Sequence, residues 1–150
     1  MAMTANFSLP DLRAQFAEIE NNIESAIINE VVGLGEDLVN HARSVRTYMD
    51  QTGNLRSSIG YIVADRHGIV SDNFKATTPS GASGKAKAQT QAQNAVSGLN
   101  HGIKLVVVAG MEYAADVERR GYDVLASAEQ KAEIEMPKII QRIKEDIASL

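Results

Sequence analysis

Thr52-Gly53-Asn54-Leu55-Arg56-Ser57-Ser58-Ile59 is where the hydrophobic pattern of this chain changes period. Before it, large apolar residues recur every three or four positions: Leu12, Phe16, Ile19, Ile23, Ile27, Val31, Leu34, Leu38, Ala42, Val45 and Met49. That spacing predicts one long amphipathic helix. After it, Ile59, Tyr61 and Val63 alternate with their neighbours, as on one face of a strand. Gly53 stands at the corner, and glycine reaches positive φ without steric cost, so it suits the residue just past a helix end. Helix and sheet must therefore pack on each other across this corner.

The helix starts at Ser8-Leu9-Pro10-Asp11, where Ser8 can cap, Pro10 fits the first turn and Asp11 complements the helix dipole. Residues 1–7 read as a flexible tail. A straight helix from Pro10 to Tyr48 would be about 58 Å long, whereas a compact chain of this size has a radius of gyration of about 15 Å. Gly33 and Gly35 interrupt the helix, each costing about 1 kcal/mol relative to alanine. Two outcomes follow. Either the helix bends at Gly33–Gly35, or its first half projects and Leu12, Phe16, Ile19, Ile23 and Ile27 need a partner chain to cover them.

Downstream of the corner, Leu55–Ala64 and Gly68–Phe74 read as a hairpin turning at Asp65-Arg66-His67-Gly68. Residues 75–102 are rich in Ala, Ser, Thr, Gly, Gln and Asn, and are expected to form a mobile insertion loop, with marginal helix over Lys85–Val96 that orders against a neighbour. Ile103–Gly110 holds a β-branched run that predicts a central strand buried on both faces. Glu112–Arg120 reads as a short helix ended by Gly121, and Tyr122–Leu125 as a short returning strand. Ser127-Ala128-Glu129-Gln130 has the form of a capping box. The last helix is expected to bury Ala132, Met136, Ile139, Ile140, Ile143 and Ile147, and to kink or break at Pro137. The predicted fold is α+β and a single domain over 1–150. Long N- and C-terminal helices pack on a small, mainly antiparallel sheet of about 3–4 strands.

The 150 residues carry a net charge of −4 and no cysteine, which excludes disulfides and thiolate metal sites and argues against general nucleic-acid binding. No apolar run approaches the roughly 20 residues of a membrane helix, and the first residues lack the basic start and apolar core of a signal peptide. From Asn73 to Met111 there is no acid, while Lys75, Lys85, Lys87 and Lys104 give +4, which leaves −8 on the rest. The segment reads either as a solvated polar loop or as a basic loop meeting an acidic neighbour or a phosphate backbone.

No constellation for chemistry emerges. Pro79-Ser80-Gly81-Ala82-Ser83-Gly84-Lys85-Ala86 resembles a phosphate-binding loop but has Pro79 for the first glycine and Ala86 for the Mg²⁺-binding hydroxyl. Gly33-Leu34-Gly35 lies inside a helix rather than after a strand. His41, His67 and His101 lack metal-ligand spacing, and no Gly-x-Ser-x-Gly elbow is present. Asp116 and Arg120 read as a surface i, i+4 ion pair. No catalytic, cofactor or metal residue is assigned.

In element order, over roughly residues 10–148, the chain resembles the head–tail joining proteins of long-tailed bacteriophages, the gp-ten-like tail-completion family. Thr52, Gly53, Leu55, Ser58 and Ile59 match that family's corner motif. Tyr113, Ala114, Glu118 and Gly121 resemble its second motif, a Tyr-Ala-x-x-x-Glu helix ending in glycine. The chain departs at Gln51, where the family often has Asp. It departs again at Arg119–Leu125, where Gly-Thr and a proline-rich segment are usual. The resemblance implies a non-enzymatic structural protein of the virion neck or tail, present in the host cytoplasm during assembly. It would form a ring with copies of itself around the DNA channel and contact neighbouring head-completion and tail proteins. Lys75, Lys85 and Lys87 would touch channel DNA without reading its sequence. Two other readings remain open: an adaptor domain that forms no ring, and an enzyme whose pocket would combine Glu118 with His41 or His101.

Overall fold

The structure, a computed structural model, describes residues 1–150. Helix α1 spans Leu9–Ser44, and its Ser8 cap accepts a hydrogen bond from the Asp11 backbone N–H. After an irregular stretch come a helical turn α2 (Asn54–Ser57), the strands β1 (Ile59–Asp65) and β2 (Gly68–Asn73), a 3₁₀ turn at Pro79–Gly81 and helix α3 (Ala82–Val96). Strand β3 (Lys104–Ala109), a short α4 (Ala114–Arg119) and a long α5 (Ala126–Ala148) complete the chain. The α+β architecture expected from the sequence is present.

The sheet order is β2-β1-β3, with β1 antiparallel to both neighbours. Strands β2 and β3 therefore run parallel on either side of β1, and α3 makes the crossover between them. The central strand is β1, buried from Ile59 to Ala64, while β3 lies at an edge and is only half-buried. The β-branched residues of Ile103–Gly110 had suggested a central position for β3; it packs its two faces under different helices without having a second strand beside it.

Two cores sandwich the sheet. Ile59, Tyr61 and Val63 face α1 and α5, where they meet Leu34, Leu38, Val39, Ala42 and Ile139. Ile62, Phe74, Val106 and Val108 face α3, where they meet Ala88 and Ala92. Residues 82–96 are thus an ordered helix and not part of a mobile loop. The small residues that looked like loop composition are the means of close packing: Gly84, Ala88 and Ala92 fall on one helical face, all buried. A Cβ on Gly110 would lie 2.5 Å from Ala88 Cα, so α3 sits nearly backbone to backbone on the end of β3.

Helix α1 is continuous through both glycines. Gly35 is where Tyr61 packs: a Cβ there would lie 2.7 Å from the ring's Cδ2, whereas nothing lies within 4 Å of one on Gly33. The Tyr61 hydroxyl donates to Glu36 Oε1 at 2.9 Å, and Asn73 Nδ2 donates to Glu36 Oε2 at 2.8 Å. Arg43 donates to the Ile59 carbonyl from Nε (3.1 Å) and Nη2 (2.7 Å). Burial raises the Tyr61 pKa and lowers that of Arg43, the latter opposed by Glu36.

The helix ends at Ser44, earlier than its apolar stripe suggests. Ser44 Oγ donates to the His41 carbonyl, and Val45 is already extended. Gly53 has φ +74 as expected, but it precedes α2 instead of closing α1, so the chain makes a helical turn before β1 begins at Ile59. Residues 122–125 form no strand, and α5 runs unbroken through Pro137. Pro137 and Glu133 are both exposed, so the turn that lacks the proline's N–H lies at the surface of the helix. Of the apolar residues assigned to the α5 core, Ile139 is buried and Ala132 and Ile143 are half-buried, while Met136, Ile140 and Ile147 are exposed.

Substituting the two glycines is expected to give opposite signs. Gly35→Ala, which drives a methyl into the Tyr61 ring, should destabilise by about 1–2 kcal/mol. Gly33→Ala should stabilise by up to about 1 kcal/mol through helix propensity alone. Urea denaturation of the two variants checks both.

Candidate functional site

The corner is built from backbone donors met by short side chains. Asp50 accepts from the N–H groups of Leu55 (3.3 Å) and Arg56 (2.8 Å), which start α2. Ser57 Oγ accepts from the Thr77 N–H at 2.8 Å, and Asn54 Oδ1 accepts from the Gly84 N–H at 3.1 Å, tying α3 to the corner. Of the corner motif, Leu55, Ser58 and Ile59 are buried, with Ser58 Oγ donating to the Leu55 carbonyl at 2.7 Å. Thr52 is exposed, and its carbonyl accepts from Thr78 Oγ1 at 2.9 Å.

The second motif meets the first. The Gly110 N–H donates to the Ser58 carbonyl at 2.9 Å, and Tyr113 joins Thr52 and Leu55 around one depression of about 250 Å³. Ala114 is buried, and Gly121 takes φ +90 after α4. Burial, followed by the Asp50 charge, raises the Tyr113 pKa. Beneath the same depression Tyr48 is buried with the Arg56 guanidinium 5.2 Å from its ring centroid. Burial raises the Tyr48 pKa, with Arg56 opposing.

Glu118 has a role the sequence hid. Its Oε1 accepts from the N–H groups of Leu125 (3.2 Å) and Ala126 (2.6 Å), and Asp123 Oδ1 accepts from the Ser127 N–H at 3.1 Å. These two acids, not a Ser127 capping box, satisfy the start of α5. Ser127 Oγ instead pairs with His41 Nε2 at 2.8 Å. His67 contacts Arg66, and His101 contacts Asn100. None of the surface depressions is lined by Glu118, His41 or His101. The ion pair of α4 joins Asp116 to Arg119 at 2.8 Å, one residue short of the expected Arg120.

The lysines of the acid-free segment do not form one patch. Lys75 is exposed after β2, while Lys85 and Lys87 lie on opposite flanks of α3, two residues apart on a helix and hence facing different ways. Lys87 pairs with Glu112 at 3.0 Å, and Lys104 Nζ donates to the Ala95 carbonyl.

Two apolar surfaces remain. The first is the amino-terminal half of α1: from Leu9 to Asn22 every residue but Leu12 is exposed, over about 21 Å. Phe16 is 61% and Ile19 45% exposed, and Ile23 and Ile27 are half-buried where the helix reaches the body. The second is an open groove of about 700 Å³ between α1, β3 and α5, floored by Val31, Leu34, Leu105, Val107, Ala128 and Ala132. Near it Arg142 donates to Glu30 from Nε and Nη2, holding α5 to α1 and raising the Arg142 pKa. No helix is long and apolar enough to cross a membrane.

Comparison with protein-family models, with curated proteins and with solved structures gives no match.

Glu118→Ala is expected to cost about 1–2 kcal/mol, as the loss of a helix cap does. Glu118→Gln, which keeps an acceptor oxygen, should cost less than half of that. Thermal unfolding of both variants measures the difference.

Proposed function

We propose that this chain is a structural subunit that works as an assembled ring, at the head–tail junction or tail-completion position of a bacteriophage or prophage virion. The observation that carries the assembly is the exposed apolar half of α1. Phe16 and Ile19 stand in water on a helix that cannot fold back, and contiguous apolar surface of that kind is what a second chain covers. The virion position rests on the resemblance of the corner and of the Tyr113–Gly121 stretch to tail-completion proteins. Burial of Leu55, Ser58 and Ile59 supports a shared scaffold role for the corner motif. A ring needs two different patches on each subunit, one for each neighbour. The separation of the arm from the rest of the body suits that requirement.

In this reading the protein carries out no bond chemistry. Its side chains are spent on capping, packing and surface charge. Lys75, Lys85 and Lys87, spread over different directions, would supply diffuse attraction to DNA passing through the ring.

Light scattering across a concentration series, with negative-stain images, is expected to reveal closed rings of defined size. A monomer at every concentration would remove the argument from α1. Changing Lys75, Lys85 and Lys87 together to Glu should leave the fold intact and reduce DNA retention in assembled particles. Unchanged retention would sink the proposed DNA contact.

A further inference from the structure

We infer that the groove between α1, β3 and α5 is the receptor for the α1 arm of a second copy of this chain. The inference rests on the assembly reading above and names the two surfaces that meet. The arm and the groove belong to one apolar face of α1: Phe16 and Ile19 lie on the free part of the helix, Val31 and Leu34 on the groove floor. Because α1 is unbroken between them, an arm cannot reach the groove of its own chain. The complement must come from another molecule, and the chain offers an apolar ridge and an apolar trough in equal number.

Size and charge agree. About 700 Å³ lies in the range of sites that enclose several apolar groups. A helix laid there presents residues spaced by three and four into the trough, the usual way an amphipathic helix is held. The arm is acidic: Asp11, Glu18, Glu20 and Glu24 outnumber its one base, Arg13. The strand bordering the groove begins with Lys104, the one base on the groove wall. Glu129 on α5 is the one acid on the groove wall. An acidic arm would be drawn to the Lys104 side of the groove and kept from the Glu129 side, which sets its direction. The outer edge of β3, hydrogen-bonded to no strand, would gain cover from the incoming helix.

The absence of cysteine makes the test direct. Phe16→Cys and Leu105→Cys are prepared as separate full-length proteins, mixed, and treated with a short bis-maleimide. The inference expects a covalent dimer in the mixture and none in either protein alone. A product from Phe16→Cys alone would mean that arms pair with one another. Oligomers by light scattering without the mixed product would place the interface elsewhere. Either result overturns the arm-in-groove contact and leaves the ring reading standing, whereas a monomer at every concentration overturns both. Phe16→Glu, on a part of the helix that touches no other element, should keep the unfolding midpoint of the parent and weaken association at least tenfold. Unweakened association would overturn the inference.

Discussion

The contact between Gly35 and the ring of Tyr61 governs the rest of the molecule. It lets a helix axis come down on the central strand closely enough for Glu36, the next residue, and Arg43, about two turns further on, to bond across the gap. Tyr61 is itself buried and is paired with Val107 on one side and Asn73 on the other. The register of all three strands is thereby tied to one position on α1. A side chain at residue 35 would lift the helix from the strand. The polar bonds would stretch, and the core formed by Leu34, Leu38 and Val39 would open with them.

This seat also explains why the two ends of α1 differ so much. Its carboxyl-terminal half lies on the sheet and under α5, whereas from Leu9 to Asn22 every residue but Leu12 is exposed. The sheet is only three strands wide and its strands six or seven residues long, so it ends well before a 36-residue helix does. The apolar stripe nevertheless continues to Leu12 with unchanged spacing. The surplus is built into the lengths of the elements, and it is this surplus, together with the unfilled trough beside β3, that gives the subunit its case for self-association.

Much of this was readable from residues alone, where the signal was periodicity. The α1 stripe, the alternation at Ile59, Tyr61 and Val63, and the Asp65–Gly68 turn each depend on local spacing, and each appears where expected save that the helix stops at Ser44, short of Val45 and Met49. Comparing a length with a radius left two outcomes for α1, a bend at Gly33–Gly35 or a projecting first half, and the unbroken helix has the second. What stayed hidden depended on partners distant in sequence. Helix α3 has almost no large apolar residue, because it meets the sheet through glycine and alanine; composition cannot tell such a helix from a loop. Glu118 read as a motif residue without a stated role, and its capping of α5 depends on residues 125 and 126 being brought to it. The groove is formed by three elements whose mutual placement no single stretch encodes.

The unbroken α1 has a mechanical consequence. A stiff rod clamped at one end turns a small rotation at the clamp into a large sweep at its tip. In any assembly where the tip engages a neighbour, the angle between successive subunits is therefore decided far from the contact itself, at residue 35. In such an assembly a substitution at residue 35 would change the angle between neighbours without touching the contact atoms at the tip.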